Sequence, residues 1–203
     1  MNLRTSEHRL RRLIDAFADF YQLPRFAYKG EEYSPAELLE GLILAESSGD
    51  PRARRYEPHQ DRVGRSDAAT DPDMPGRDDG GLEDDASYGL TQVMGTNWRR
   101  ILGLKPGTPI NFDAFAFDAA FSISAGIRIL KDELFAVFVR APHSPLAEQV
   151  VRALCRYNGG PTGDAFVEVK PAVKDLRRRE YVDRVAKSCS LARDDRRRLG
   201  WQG

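Results

Sequence analysis

Residues 41–50, with the sequence GLILAESSGD, place one carboxylate near the end of an apolar helix. Upstream, SPAE at residues 34–37 has the pattern of a capping box with proline at the first helical position, so the helix is expected to begin there. Gly49 and Pro51 predict that it ends within a turn of Glu46. Glu46 shares a helical face with apolar residues that precede it by seven, four and three positions, Leu39, Leu42 and Ile43.

Glu46 is therefore a candidate general acid. Partial burial and the negative carboxyl end of the helix both disfavour the anion, so we expect the pKa of Glu46 to lie above that of a free glutamate. A carboxyl group that holds its proton suits general acid catalysis. The alternative is a glutamate that turns to water or pairs with one of the arginines at positions 52, 54 and 55.

Composition limits the classes of function. The 203 residues are enough for one domain with a substantial core, and 31 basic residues balance 31 acidic ones. Without a global basic field, nucleic acid is not an expected partner. No apolar run reaches the length of a transmembrane helix and residues 1–12 are too charged for a signal peptide, so we expect synthesis in the cytoplasm and no membrane insertion.

Cysteine and histidine offer little chemistry. Cys155 and Cys189 lie on predicted apolar helix faces, which indicates buried thiols. The three histidines, at positions 8, 59 and 143, have no ligand spacing and suggest neither a zinc site nor a Ser-His-Asp arrangement. We expect no metal and no cofactor.

Helical periodicity dominates the chain. The predicted helices are, in order, residues 6–22, the helix from Ser34, a short helix around Trp98 that stops at Gly103, residues 117–135, a helix that begins at Ser144-Pro145, and residues 178–192. The predicted apolar faces include Phe121 and Leu146. Strand-like alternation occurs only near residues 166–169, so the predicted fold class is mainly α.

The predicted organisation is one domain with additions at both ends. Residues 1–33 form an amphipathic helix and a connection that pack on the domain, which spans residues 34–192. Residues 57–84 are rich in Asp, Arg, Gly and Pro and predict a long irregular surface loop, hypothesised to act as a lid. Residues 193–203 predict a loose basic tail apart from a contact of Trp201.

Four short motifs stand in order: ES at residues 46–47, SYGLTQVM at 87–94, RYNGGP at 156–161 and EYV at 180–182, with Gly126 in a helix between the second and the third. Together they resemble the soluble-type lytic transglycosylases, which share a lysozyme-like fold. The resemblance spans about residues 34–189. It implies a helical domain split by a cleft that binds glycan strands of peptidoglycan, with Glu46 as the single catalytic carboxylate.

The resemblance also assigns roles to seven further residues. Ser47 would orient Glu46, and Tyr181 is expected close to that acid. Tyr157 and Asn158 would lie beside the reacting sugar, with the asparagine holding its N-acetyl group. The remaining three would line the cleft: Ser87, Gln92 and Met94.

The sequence departs from the family pattern at a few positions. Thr91 stands where methionine is usual, Gly95 where proline is usual, and Arg156 where a small residue usually precedes Tyr-Asn. The loop between Glu46 and Gly89 is also longer than is typical. None of these changes removes a catalytic group, so they bear on which glycan or peptide decoration is accepted.

The implied reaction is cleavage of the MurNAc-β-1,4-GlcNAc bond with formation of 1,6-anhydroMurNAc, Glu46 acting first as acid and then as base. One alternative is a muramidase, a lysozyme-type hydrolase in the same cleft, with Asp84 or Asp85 activating water. Another is a non-catalytic wall-binding component of a phage particle or secretion device. We expect a monomer that reaches the cell wall through a phage virion, a holin or a secretion system.

Overall fold

The computed structural model describes residues 3–56, 86–105, 111–159 and 173–201. Within these ranges the chain is mainly helical, which confirms the predicted fold class. The predicted surface loop 57–84, the candidate bases Asp84 and Asp85, and residues 166–169 lie outside them. The six α-helices of the described residues are α1 (Leu3–Phe20), α2 (Pro35–Ser47), α3 (Gly95–Leu102), α4 (Ala119–Arg140), α5 (Leu146–Gly159) and α6 (Val173–Arg198).

The chain divides into two compact units. The first unit comprises Met1–Ala45 and Ile127–Gly203, and the second comprises Glu46–Gly126. The divisions fall within α2 and α4. Each unit is described below by itself.

Five short strands within the described residues escaped the sequence analysis because each has only two or three residues. In the first unit β1 (Phe26–Tyr28) pairs antiparallel with β2 (Glu31–Tyr33). Lys29 and Gly30 connect them with positive φ angles of 50° and 85°, as in a tight hairpin turn. In the second unit β3 (Arg54–Tyr56), β4 (Ala86–Tyr88) and β5 (Val93–Met94) form an antiparallel sheet in the order β3-β4-β5.

The core of the first unit joins α2, α5 and α6. Its buried side chains include Leu38 and Leu42 of α2, Leu154 of α5 and Val185 of α6. Gly41 permits close packing, because a Cβ atom there would lie 2.3 Å from Cys189 Sγ and 2.8 Å from the Cys189 backbone nitrogen. Cys155 and Cys189 are both buried, as predicted.

The capping box at the start of α2 is confirmed. The backbone N–H of Ser34 donates to Glu37 Oε2 at 2.7 Å, and the backbone N–H of Glu37 donates to Ser34 Oγ at 3.2 Å. Pro35 is the first helical residue. The reciprocal bonds satisfy backbone donors that the first turn of a helix leaves without intrahelical partners.

A buried ionic network holds the first unit together around Glu40. One carboxylate oxygen accepts from Arg11 Nε at 2.9 Å and the other from Arg196 Nε at 2.6 Å, and the three side chains are at most 10% exposed. Arg196 Nη1 also lies 2.7 Å from Asp15 Oδ1. The indole of Trp201 donates to Asp15 Oδ2 at 2.7 Å. Helices α1, α2 and α6 are thereby linked through charged groups.

The prediction of a loose basic tail from residue 193 is wrong. Helix α6 continues to Arg198, and Arg196 is buried in the network around Glu40. Arg193 Nε donates to Glu37 Oε1 at 3.1 Å, and its Nη2 donates to the Glu32 carbonyl. The periodicity assigned arginine to solvent, whereas carboxylates on other elements draw these side chains into the interior.

Two residues assigned to apolar faces are instead exposed. Phe121 and Leu146 each retain 55% of their surface. Both lie in the first turn of their helices, α4 and α5. Other residues of the predicted apolar face of α4 are buried, among them Ile127 and Leu130.

Candidate active site

Glu46 is the penultimate residue of α2 and is half-buried. The helix stops after Ser47, as predicted, because Ser48 and Gly49 adopt left-handed φ angles of 56° and 81°. The backbone N–H of Asp50 donates to the Ser47 carbonyl at 3.0 Å and closes this turn. The candidate acid therefore stands at the carboxyl end of the helix dipole.

Ser47 joins this helix end to the second motif. Its hydroxyl donates to the Leu90 carbonyl at 2.9 Å and accepts from the Gly49 backbone N–H at 3.2 Å. One side chain thus caps the helix terminus and holds it against the turn that follows β4. The contact links residues that lie 43 positions apart in the chain.

Two glycines, Gly89 and Gly126, allow close packing around that turn. At Gly89, with φ of 75°, a Cβ atom would lie 2.3 Å from the Ala116 carbonyl oxygen and 2.5 Å from Ser122 Oγ. At Gly126 it would lie 2.5 Å from Thr91 Cβ. Any larger residue at either position would push the motif away from the start of α4.

Thr91, which replaces the usual methionine, has its own partner in the second unit. It is fully buried, and its hydroxyl donates to the Ser122 carbonyl at 2.7 Å. Ser122 was not among the predicted site residues, although a small residue one helical turn before Gly126 is a signal of close packing. Gly95 is the first residue of α3, a position that also suits proline, so the local helix start tolerates this departure.

The side chain of Gln92 fixes the conformation of the second motif through hydrogen bonds. Its side-chain nitrogen donates to the carbonyls of Gly89 at 2.9 Å and Ala53 at 3.1 Å, and its oxygen accepts from Ser87 Oγ at 2.9 Å. Gln92 is buried and adopts a positive φ of 48°. Both amide hydrogens are engaged in the second unit, so this side chain holds the loop in shape. Its predicted contact with substrate stays a prediction.

Met94 completes the group in the second unit. It lies in β5 directly opposite Ser87 of β4, and its side chain is half-buried. Ser47, Ser87, Gln92 and Met94 are thus gathered around one turn, residues 89–92, together with the helix end that carries Glu46.

The first unit holds the other three candidates. Tyr181 of α6 is buried, with 2% of its surface exposed. Tyr157, in the last turn of α5, packs against the core cluster that contains Tyr181. Asn158 follows it and is exposed. The predicted cleft, in which these three would face Glu46, stays a prediction.

Arg156 stands where the resemblance leads one to expect a small residue, and its contacts show how the larger side chain fits. Its Nε donates to Glu133 Oε2 of α4 at 2.5 Å, and the arginine is 4% exposed. A long side chain therefore fits immediately before Tyr157 because a carboxylate on the adjacent helix compensates its charge.

A cavity of about 880 Å³ in the first unit has none of the candidate residues in its lining. Its lining comes from α1 and the residues after it, the start of α2 and one arginine of α6, and consists of Asp15, Ala16, Ala18, Asp19, Gln22, Leu23, Ser34, Pro35, Ala36 and Arg196. Its size therefore does not mark it as the place of the predicted chemistry.

Comparison with known proteins does not assign this chain to a family. No family model, curated protein or solved structure matches the chain. The resemblance to lytic transglycosylases thus rests on the four motifs and their order. No helix in the described ranges has the length and apolarity needed to cross a membrane. Within the same ranges, no three His, Cys, Asp or Glu side chains are grouped to hold a metal ion.

Proposed function

We propose that this chain is a lytic transglycosylase that cleaves the MurNAc-β-1,4-GlcNAc bond of peptidoglycan. The observation that carries the proposal is the hydrogen bond from Ser47 Oγ to the Leu90 carbonyl, which joins the helix end bearing Glu46 to the second motif. Two motifs recognised separately in the sequence thereby meet in one unit, as a shared site requires. The lysozyme-like fold and its glycan cleft belong to the same proposal.

The first chemical step is protonation of the leaving group. The carboxyl group of Glu46 gives its proton to the glycosidic oxygen as the bond from that oxygen to C1 of MurNAc breaks. The 2-acetamido oxygen of MurNAc stabilises the positive charge that develops at C1. Tyr157 and Asn158 position that acetamido group, which substitutes for a second carboxylate.

The second step returns the proton to the enzyme. The Glu46 carboxylate draws the proton from the C6 hydroxyl of MurNAc, and the C6 oxygen bonds to C1 to close the 1,6-anhydro ring. No water is consumed, so the reaction is an intramolecular transglycosylation, which is classed with the lyases. Glu46 regains its proton and the enzyme is ready for another turnover.

Second-unit contacts support this role for a single acid. Ser47 fixes the helix terminus beside Glu46, while Ser87 and Gln92 fix the motif loop through bonds to each other and to backbone carbonyls. A helix end and a loop that are both held in place give the acid between them a defined position, which favours general acid catalysis. We infer that Ser47 and Gln92 are positioning residues and that Glu46 is the catalytic residue.

The decisive experiment is mass spectrometry of purified peptidoglycan digested by the native protein and by Glu46→Gln. The native protein should release 1,6-anhydroMurNAc ends, and the variant should lose at least about 10³-fold of that activity because its amide cannot donate and recover a proton. Binding of the variant to peptidoglycan, measured by co-sedimentation, should be retained.

Glu32→Gln is the matched control. It makes the same chemical change at an exposed ion pair with Arg25, where the two side chains are 71% and 59% exposed, so activity should be unchanged. If the native protein releases reducing ends in place of anhydro ends, it is a hydrolase. Binding without any product from the native protein would assign the non-catalytic wall-binding role. Full activity of Glu46→Gln would show that another residue is the general acid.

A further inference from the structure

The turn at residues 89–92, between β4 and β5, buries its central peptide group. Leu90 and Thr91, which share this peptide group, are 0% exposed. The turn is closed by a hydrogen bond from the Gln92 N–H to the Gly89 carbonyl at 3.3 Å, and such a bond leaves the central peptide group without partners inside the turn. Buried backbone polar atoms are nearly always hydrogen-bonded, so partners for this group must come from other elements.

Two serines from different helices bind this peptide group at its two ends. The Leu90 carbonyl accepts from Ser47 Oγ, at the end of α2, at 2.9 Å. The Thr91 N–H donates to Ser122 Oγ, in the first turn of α4, at 3.4 Å. Because a peptide group is planar, its carbonyl and its N–H move together. A displacement on the α4 side is therefore transmitted to Ser47.

The Thr91 side chain binds the same peptide group more firmly to α4. Its hydroxyl donates to the Ser122 carbonyl at 2.7 Å, the shortest of the three hydrogen-bond contacts between these two residues. Gly126 lets Thr91 lie against the helix, because a Cβ atom at Gly126 would be 2.5 Å from Thr91 Cβ. Removal of the hydroxyl would leave the long bond from the Thr91 N–H as the remaining hydrogen bond from this peptide group to Ser122.

We propose that Thr91 is a positioning residue for Glu46 and acts through the Leu90–Thr91 peptide group and Ser47. Glu46 immediately precedes Ser47, so the carbonyl that binds Ser47 fixes the helix end that carries the acid. Thr91 is 0% exposed and does not itself reach substrate. All the residues concerned belong to the second unit. The inference rests on the proposed function, because it assigns Thr91 to the general acid of that reaction.

Steady-state release of anhydro products tests the role in catalysis. Thr91→Val keeps the shape of the side chain and removes the hydroxyl, so kcat should fall roughly tenfold while KM stays within about twofold. Thr91→Ser keeps the hydroxyl and should restore most of the lost kcat. Ser47→Ala/Thr91→Val should lose little more kcat than Thr91→Val alone, because both changes release the same peptide group. Losses that multiply in the double variant would show that Thr91 and Ser47 act independently, and would overturn the proposal.

The position of the acid can also be measured without turnover, by NMR of the full chain. The ¹³Cδ resonance of Glu46, identified by its loss in Glu46→Gln, should shift in Thr91→Val and return toward the native value in Thr91→Ser. Ser122→Ala should shift it less, because it removes only the long bond from the Thr91 N–H. An unchanged resonance in both Thr91→Val and Ser122→Ala would overturn the proposal. If the resonance shifts but the native chain releases no anhydro product, Thr91 does position Glu46 and the proposed function alone is wrong.

Tyr33→Phe is the matched control, because it also removes one hydroxyl from a buried side chain and keeps its shape. Tyr33 is 3% exposed, and its hydroxyl lies 3.0 Å from Ser190 Oγ in the first unit. Its Tm should fall about as much as that of Thr91→Val, while kcat and the Glu46 resonance stay native. An equal loss of kcat in Tyr33→Phe would show that reduced stability explains both variants, and the proposal would fail.

Discussion

The two ends of helix α2 are held by different chemistry. Toward its start, Glu37 and Glu40 bind arginines of α1 and α6, and the Glu40 pairs are buried. At its carboxyl end, Ser47 forms neutral hydrogen bonds to Leu90 and Gly49. The charged contacts lie in the first unit and the neutral ones in the second.

The difference separates the two glutamates by role. Both oxygens of Glu40 are occupied by guanidinium groups, so this carboxylate serves the fold. A general acid needs an oxygen that can reach its substrate and change protonation state. Neutral hydrogen bonds from Ser47 fix the position of a helix end without adding a fixed charge beside the acid. Glu46, the proposed general acid, lies six positions further along the same helix.

The largest loss of stability should come from removing the charge of Glu40 near the start of α2. Glu40→Gln removes the negative partner of two buried arginines and should lower the free energy of unfolding by about 3–5 kcal/mol, because both guanidinium groups remain buried. Arg11 Nη1 and Arg196 Nη2 already lack hydrogen-bond partners among the described residues, so no spare acceptor compensates. Urea denaturation at neutral pH measures the loss.

Glu148→Gln provides the comparison for that measurement. Glu148 pairs with Arg152 one turn away in α5 and is 37% exposed, so its replacement should cost only about 0.5 kcal/mol. Should Glu40→Gln prove no more costly than Glu148→Gln, the ionic network would not be what holds the first part of α2.

A smaller effect, with a different readout, is expected at the neutral end. Ser47→Ala removes the hydrogen bond to the Leu90 carbonyl and should cost about 1 kcal/mol of stability. Because that bond fixes the helix end beside Glu46, kcat for peptidoglycan cleavage should fall roughly tenfold while KM changes little. Steady-state release of anhydro products measures both constants.

Ser190→Ala is the control for Ser47→Ala. The Ser190 hydroxyl lies 3.0 Å from the Tyr33 hydroxyl in the first unit, so its removal should cost comparable stability and leave kcat unchanged. If both variants lower kcat alike, loss of stability explains the effect, and Ser47 has no positioning role.

The contrast between the two ends of α2 also shows which features could be predicted from the sequence. The capping box and the stop at Gly49 follow from local rules, and both are confirmed. The partner of Glu40 was not predictable in this way, because Arg196 lies 156 positions away. Periodicity treats arginine as a surface residue, although a distant carboxylate can draw it inside.

The candidate site shows the same limit. Motif order selected Ser87 and Gln92, and the structure places them 2.9 Å apart. The order of the motifs did not reveal that the Gln92 side chain donates both amide hydrogens to backbone carbonyls. Those contacts depend on the left-handed backbone conformation that Gln92 itself adopts. The sequence identified the residues of the loop, and their tertiary hydrogen bonds show which of them hold it in shape.

The smallest effect should be a pH dependence of the charged end. Burial acts to raise the pKa of Glu37, but hydrogen bonds from Arg193 and Ser34 outweigh it and hold the pKa below the ordinary value of 4.5. A lowered folded pKa means that Glu37 contributes stability above pH 4.5, and that this contribution is lost as the pH falls through the folded value. Glu37→Gln should therefore lower Tm at neutral pH, by an amount that corresponds to about 1 kcal/mol, and less in acid.

Thermal melts of the native chain and Glu37→Gln between neutral pH and acid test this sign. The two Tm curves should run parallel above pH 4.5 and converge below it, since a protonated glutamate resembles glutamine in charge. Glu31→Gln is the matched control, because Glu31 also pairs with Arg193 but is 63% exposed, and water screens its contribution. A gap that stays constant into acid would show that Glu37 stabilises α2 through its shape and neutral hydrogen bonds, and the charged end would then differ from the Ser47 end only at Glu40.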